Sequence, residues 1–600
     1  MSTIALLAGL LQVALAQDEP PPPDALEAPV PVEAPSPEEA DGDGLARIQA
    51  LEEQVAALQQ RAEEQQEELA RQQLRLIPKD KLRFDVEGFY RTRGHVFTGL
   101  SPEHEGAGRY LDHRLRIRPV FNYRDLALLK LDIDGLENVV WGDNASLAST
   151  ALFSGGPSST GFDGRSQPTL QLERAWMELV MPVGQFRVGR MPSNWGLGLL
   201  ANGGDEFDDW FGDNRGGSTV DRIVFATRPI AIAQTIAGKE DSGIPLFLAF
   251  GVDRLVEEPL IGFNGYRCVS GISWDEEGFD PRCDANDDGV TDLEHGYTDD
   301  SRTEDQRSDG WWADNTDDVA ELIFVLIYRG EDIRYLGAEG DLTVGTYVVY
   351  RTQDETESEV LVLDGFLHAQ WRGVLAEGEV LHIGGTTRAI ALPGAIGTTE
   401  DPLYKTADIW GYVARLGYQQ PGWKAVLEHG YASGDPNVAD ADFTGRPLHS
   451  DYNVGLLLYE QVLARVTAQL WTETASGLWS NGGVYNSRYL HPAIFLYPFE
   501  GWDVGKTEVI AAFLVAWPDE PDGAIIRCRA GEDQCEQQLA TASIIGWEVD
   551  FAVKHRWHEH LLFSLELGWA HATDRLPLET AGLNPEGNFF TLQSRVGWEF

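Results

Sequence analysis

The sequence predicts an all-β fold: a closed antiparallel transmembrane β-barrel of about 18 strands, preceded by a coiled-coil helix. Three observations predict it. From Leu82 to Phe600, apolar and polar residues alternate with a period of two, which gives each strand one greasy and one wet face. The connections between these runs alternate between mostly short and long. Aromatic residues make up 10% of the chain, with 18 Trp, and they gather near strand ends, where interface girdles sit.

The last stretch shows the alternation most clearly. In Asn588–Phe600, NFFTLQSRVGWEF, one face carries Phe590, Leu592, Ser594, Val596, Trp598 and Phe600. The other carries Phe589, Thr591, Gln593, Arg595, Gly597 and Glu599. Leu361, Leu363, Leu367, Ala369 and Trp371 likewise oppose Asp364, His368 and Gln370, and Val549, Phe551 and Val553 oppose Glu548, Asp550 and Lys554. The same reading places strands near 82–94, 110–123, 125–136, 169–181, 184–191, 218–228, 244–252, 319–329, 340–351, 359–376, 379–388, 407–419, 422–432, 487–497, 506–517, 543–556, 559–571 and 589–600. One set of connections is short: Arg124, Pro182–Val183, Glu377–Gly378, Gln420–Pro421 and Trp557–His558. The other set, 137–168, 192–217, 253–318, 433–486 and 518–542, is long. Short periplasmic turns and long external loops are the barrel pattern. An even strand number closes the sheet and leaves no open edge in lipid. The link 229–243 is longer than its side of the barrel leads one to expect.

Ahead of the barrel, residues 1–16 are apolar and end on Ala14-Leu15-Ala16, a signal peptide with a small-residue cleavage site, although no Lys or Arg precedes the apolar run. Residues 17–44 form an acidic Pro-rich linker with nine acids and no bases. In residues 45–77, Ile48, Val55, Ala62, Leu69 and Leu76 fall seven apart, with Leu51 and Leu58 in the companion position. That is a heptad seam, read as a periplasmic coiled coil in preference to a lone helix with an exposed stripe. No later apolar run is long enough for a spanning helix.

Charge narrows the partners. The 600 residues include 96 acids against 46 bases, a net charge of −50, which argues against nucleic acid. Outer-membrane lipid and a transported solute are the expected partners, with the cell wall as a further candidate for the coiled coil. The four cysteines fall in two close pairs, Cys268 with Cys283 and Cys528 with Cys535. In an exported chain this spacing favours two local disulfides over metal binding.

Resemblances add to this reading. A terminal Phe600 with Trp598 two residues earlier resembles the C-terminal strand of Gram-negative outer-membrane barrels. Phe186–Gly204, FRVGRMPSNWGLGLLANGG, resembles the GR…WG.G strand-loop of alginate-export-type porins. Tyr431–Asp435, YASGD, and Asp451–Leu458, DYNVGLLL, resemble later motifs of that family. The resemblance implies a barrel of about eighteen strands that passes polysaccharide or other solutes. The coiled coil resembles that of some trimeric porins, including the phosphate-selective and sucrose types, and implies a homotrimer.

Three constellations are candidates for function. Arg91 and Arg93, then Arg114, Arg116 and Arg118, then Lys130 lie on one face of the first three strands, and Arg595 lies on the last. A charge facing lipid costs about 2–4 kcal/mol at the midplane, so these side chains point inward. They read either as an anion-guiding wall or as a structural network with Asp85, Glu87, Asp132 and Asp134. The second constellation is Val454–Trp471, where Leu456, Tyr459, Leu463, Val466 and Leu470 step by three and four, a helical period inside an external loop. It is expected to pack against the pore mouth or fold into the barrel as a constriction or gate; the other readings are a structural lid or a pair of strands. The third is Asp284, Asn286, Asp288, Val290 and Asp292, which match the spacing of a calcium loop, with His295 at the twelfth position where Glu is usual. Here Ca2+ would neutralise part of a loop, 253–318, that carries 20 acids and five bases; the other reading is a solvated acidic loop. No nucleophile motif or zinc motif is present, so no enzyme activity is expected, and His555, His558 and His560 read as a solvated turn.

These readings make the chain an outer-membrane porin or channel for small polar or anionic solutes. The alternatives are a plugged barrel acting as a structural anchor with a periplasmic tether, and a soluble glycan-binding β-protein.

Overall fold

The computed structural model describes residues 82–100, 108–141, 170–204, 210–213, 217–255, 319–331, 333–334, 338–353, 357–387, 405–436, 441–467, 480–499, 506–520, 526–527, 536–537, 542–558, 560–579 and 581–600. Residues 1–81 lie outside this set, so the signal peptide, the linker and the coiled coil do too. The cysteine pairs and the calcium-loop residues Asp284–Asp292 also fall outside it.

The strands, numbered along the chain, are β1 Leu82–Thr98, β2 Gly108–Tyr123, β3 Ala127–Val140, β4 Gln171–Met181, β5 Gly184–Pro192, β6 Thr219–Thr227, β7 Leu246–Leu255, β8 Ala320–Gly330 and β9 Gly340–Gln353. They continue as β10 Ser358–Trp371, β11 Val374–Thr387, β12 Lys405–Gln420, β13 Trp423–Ala432, β14 Ser487–Leu496, β15 Lys506–Pro518, β16 Gly546–Trp557, β17 Leu561–Ala572 and β18 Asn588–Glu599. Each pairs antiparallel with its chain neighbour, and β18 pairs with β1 from Phe89 opposite Glu599 to Thr98 opposite Phe590. The sheet therefore closes on itself. A two-residue strand, Asp442–Phe443, lies parallel against the outer end of β12 and is the nineteenth member of the sheet.

The alternation sorts as the sequence predicts. Leu361, Leu363, Leu367, Val549, Phe551, Leu565, Phe590, Val596 and Trp598 are exposed on the outside. Their strand neighbours Asp364, Glu548, Asp550, Glu566 and Arg595 are buried within the barrel. Tyr123, Trp371, Tyr418, Trp423, Trp557, Trp598 and Phe600 mark one rim, the short-turn end. Turn arginines cap two of these rings, Arg124 over Tyr123 at 5.4 Å and Arg372 over Trp371 at 4.6 Å. An aromatic band at the polar boundary is the expected girdle.

Several boundaries shift by a few residues, among them the end of β1 at Thr98 and the turn Pro421-Gly422, and one turn differs more. The turn between β10 and β11 is Arg372-Gly373, not Glu377–Gly378. Both turn residues are left-handed, with φ of 50° and 80°, which suits the twist of a two-residue hairpin. Gly378 instead pairs with Leu367 inside the ladder, and Glu377 meets His368 at 2.8 Å. The long link 229–243 contains a short helix, α1 Pro229–Ile236, opened by a proline that has no N–H to leave unsatisfied there.

The apolar core lies inside the barrel. It is built around Leu456, Leu457, Leu458, Tyr459, Val462, Leu463 and Val466, packed with wall residues that include Ile510, Leu514 and Ala516. The connection between β13 and β14 therefore does not stay outside; it folds into the lumen.

Candidate functional site in the barrel lumen

The basic residues singled out in the sequence share the inner wall. Arg91 lies opposite Arg114, and Phe89 opposite Arg116, so β1 and β2 present guanidiniums at adjacent levels. Most of them meet carboxylates on the same wall. Arg114 bonds Asp134 at 2.7 Å, and Arg116 bonds the same carboxylate at 2.5 and 2.6 Å. Arg118 approaches Asp132 at 3.4 Å, Lys130 meets Glu178 at 3.1 Å, and Arg93 bonds Asp112 at 3.1 Å. Arg595 bonds Glu566 at 3.0 Å. Arg174 on β4, absent from the sequence reading, reaches Asp132 at 3.5 Å and the carbonyl of Gly203 at 3.1 Å. The wall is thus a charged network, and its cations are held in place by acids.

Two connections enter the lumen and dock on this wall. The first follows β5. Trp195 stacks on Tyr347 with ring centroids 5.5 Å apart and donates its indole N–H to Asp364 at 2.9 Å. Leu197 and Leu199 donate their backbone N–H groups to Glu379 on β11. Farther along, Gly212 donates its N–H to Glu566 on β17 at 2.8 Å. Asp213 pairs with Arg91 and lies 3.5 Å from Arg93 and 3.9 Å from Arg595. Since β11 lies almost opposite β1 in the ring, this connection reaches both sides of the lumen.

The second follows β13 and carries the helical segment. Its first turn, Leu458–Leu463, is a π-helix. Leu456, Leu457 and Leu458 all donate their N–H groups to Glu548 on β16, at 2.7, 2.8 and 2.7 Å. One carboxylate so satisfies three buried amides that the helix start leaves without internal partners. Tyr459 shares a hydrogen bond of 3.0 Å with Ser487, and Arg465 donates to the carbonyl of Leu100 at 2.9 Å. The four residues that the sequence marks as a constriction helix, Leu456, Tyr459, Leu463 and Val466, are all buried in the lumen.

The two connections are also joined to each other. Gly217 donates its N–H to Asp451 at 2.7 Å, and the side-chain amide of Asn202 donates to the Asp451 carbonyl at 3.1 Å. His449 accepts from the Asp451 N–H at Nδ1 (3.0 Å), so its Nε2 carries the proton and donates to Ser218 at 2.9 Å. Burial pushes the His449 imidazole below its ordinary value, and Arg446 lowers it further against the opposing pull of Asp451. The three family-like blocks, Phe186–Gly204, Tyr431–Asp435 and Asp451–Leu458, all lie in these connections or on the strands that launch them.

The sequence reading missed the docking partners Glu379, Glu566 and Asp213, as well as the role of Glu548. Residues Glu379 and Leu197 are 182 positions apart, and Arg595 and Gly212 are 383 apart. No local pattern reports pairings at that range. The one signal in the sequence was a set of inward carboxylates, Glu548 and Asp550 among them, on strands with few inward bases.

A closed antiparallel barrel with an apolar exterior, an aromatic rim and a charged interior is a membrane-spanning β-barrel of the outer-membrane class. No protein-family model matches the chain, and no curated protein matches it. Solved structures of low similarity align with most of the chain. They include OccK11 (OpdR) of Pseudomonas aeruginosa, 10% identical, with 86% of this chain and 96% of that one covered at a TM-score of 0.42. The outer membrane protein opdK of the same organism is 9% identical over 86% of this chain and 99% of that one, at 0.42. OccK2 (OpdF) of the same organism, solved in complex with glucuronate, is 11% identical over 86% and 96%, at 0.41.

Proposed function

We propose that the chain is an outer-membrane channel through which small polar or anionic solutes diffuse, with the two inward connections forming its constriction. The observation that carries this reading is the sorting of charge. Guanidiniums and carboxylates line the lumen through the whole depth of β1 to β4, while the matching outer face is apolar. A barrel serving only as an anchor has no need of a charged interior, whereas a solute exchanging its hydration shell does. A mixed wall of paired cations and acids suits solutes with both hydroxyl and carboxylate groups, and sets no strong preference for ion sign.

A second reading rests on a separate observation. Leu457, Leu458, Tyr459 and Val462 are completely buried in the lumen, as expected of a plugged barrel that acts as a structural anchor. Single-channel recording in planar bilayers decides between the two. Stepwise conductance supports the channel, and silence from correctly folded protein supports the anchor.

Several finer points belong to this proposal. Residues 45–77 would hold three copies together in the periplasm, a homotrimer testable by crosslinking and by its loss on deleting that segment. The three family-like blocks support a divergent branch of the alginate-export-type porins, with no particular solute implied. The external loop at Asp284–Asp292 would take Ca2+, read out as protease protection on adding the metal.

A further inference from the structure

Asp213 sits where an anionic solute would sit. Its side chain is buried, and it reaches the wall from the connection after β5, not from a strand. Arg91, Arg93 and Arg595 approach it directly, and Arg114 adds its field from the position facing Arg91. Its delivery is built into the segment. Trp210 packs on Phe495 at 5.2 Å, on His491 at 5.3 Å and against Arg415 at 5.1 Å. Phe211 is buried beside it. Gly212 then turns the chain with φ of 72°, a left-handed conformation that a side chain would disfavour, and aims Asp213 at the guanidiniums.

Arg91, Arg93, Arg114, Arg116 and Arg595 converge with Asp112, Asp134, Glu566 and Asp213. The three strand-borne acids are fixed on the wall. Of these four acids, only Asp213 arrives on a connection. Guanidiniums arranged around one carboxylate bind another carboxylate by the same charge-assisted hydrogen bonds.

We propose that Asp213 is a built-in stand-in for a carboxylate solute: it occupies a carboxylate-binding site on the β1–β2–β18 wall and must yield that site as a carboxylate-bearing solute passes. The proposal rests on the channel reading for its role in transport, but the binding site itself does not depend on conductance. The lowered pKa of Asp213 agrees with it: burial pushes the carboxyl up, and the guanidiniums of Arg91, Arg595, Arg93 and Arg114 more than offset this. Asp213 is therefore charged at neutral pH and competes as an anion.

The test uses the full chain, with potassium acetate as probe and potassium chloride as control at equal ionic strength. In Asp213→Asn, acetate raises the unfolding midpoint while chloride does not, and the reversal potential in a salt gradient shifts toward anions. Asp213→Glu, which keeps the carboxylate, behaves as the parent protein. If folded Asp213→Asn shows neither the acetate-specific stabilisation nor the selectivity shift, the stand-in idea is wrong; equal stabilisation by chloride also overturns it. A measurement on the parent protein guards against a variant that fails to fold. Acetate should speed amide exchange at Phe211–Asp213 relative to chloride, and no difference would overturn the proposal. If acetate stabilises Asp213→Asn but both proteins are silent in bilayers, the site stands and the channel reading fails.

Discussion

The tip at Trp210–Asp213 and the helix start at Leu456–Leu458 both dock on the inner wall, but with reversed chemistry. At the tip the loop's charged contribution is the Asp213 carboxylate, met by wall guanidiniums, beside a single amide that Gly212 gives to Glu566. At the helix the wall supplies the carboxylate, Glu548, and the loop supplies backbone amides. A passing anion can replace the loop's contribution at the tip, because it offers the same group. It cannot do so at the helix, where an anion would have to displace a wall carboxylate bonded to three amides. One attachment is therefore exchangeable by solute and the other is permanent, and the lumen combines a movable element with a fixed one.

The largest effect should come from removing the fixed element. Deleting residues 454–466 takes out the buried helix, and conductance in planar bilayers should rise severalfold; an unchanged conductance would show that the helix does not constrict the path. Next in size is Glu548→Ala, which leaves three buried amides without an acceptor. Each buried donor so orphaned costs about 1–3 kcal/mol. A drop in unfolding midpoint larger than that of Glu379→Ala, which orphans two amides, is expected in thermal scans followed by circular dichroism.

Acid should loosen the lumen in a set order. His449 is held neutral in the folded state with its pKa depressed, so its contribution is present above the unfolded value near 6.5 and is lost as pH falls from there toward the depressed value. Asp213 is depressed too, but from the ordinary Asp value. Its contribution is present above about 4 and is lost only as pH falls below that. The joint between the two connections should therefore open at mildly acid pH while the tip stays docked. Amide exchange at Ser218 and Asp451 should rise by pH 5 (roughly one and a half units below the ordinary His value), while exchange at Gly212 should not. His449→Gln, which keeps a donor and an acceptor, should abolish the mild-acid step.

The smallest effect is expected outside. Arg190 and Asp221 form a bidentate pair at 2.8 and 2.9 Å on the outer face, with both side chains 45% exposed. Such pairs contribute about 0–1 kcal/mol. Arg190→Ala should leave the unfolding midpoint within error; a drop comparable to that of Glu548→Ala would show that the contrast between wall and surface is misjudged.

The barrel was legible in the sequence because lipid imposes its rule residue by residue. Every strand that faces lipid on one side must alternate, so Leu361 through Trp371 and Asn588 through Phe600 declare their faces without any knowledge of partners. The helical segment was legible for a related reason, since Leu456, Tyr459, Leu463 and Val466 keep a three-and-four spacing. What the sequence hid was attachment. Glu548 reads as one more inward acid until the fold brings Leu456 to it across 92 positions. Asp213 lies in an acidic external connection, and nothing local shows that it turns inward. The turn at Arg372-Gly373 was misplaced because Glu377–Gly378 looks as turn-like as the true pair; only the cross-strand register decides.

The seam between β1 and β18 bears on how the molecule comes to exist. Gly88 and Phe600 exchange two backbone hydrogen bonds, 2.9 and 3.0 Å, and a side chain at Gly88 would collide with the Arg116 backbone carbonyl on β2 and with the ring of Phe600. The two residues are separated by nearly the whole sequence, so this contact carries the largest loop-closure entropy in the barrel and gains nothing from local order. Loop-closure entropy alone would put this pairing late in assembly. Filling the notch with Gly88→Val should disturb β1 against both β2 and β18, letting partly closed sheets accumulate and lowering the unfolding midpoint of those barrels that do close.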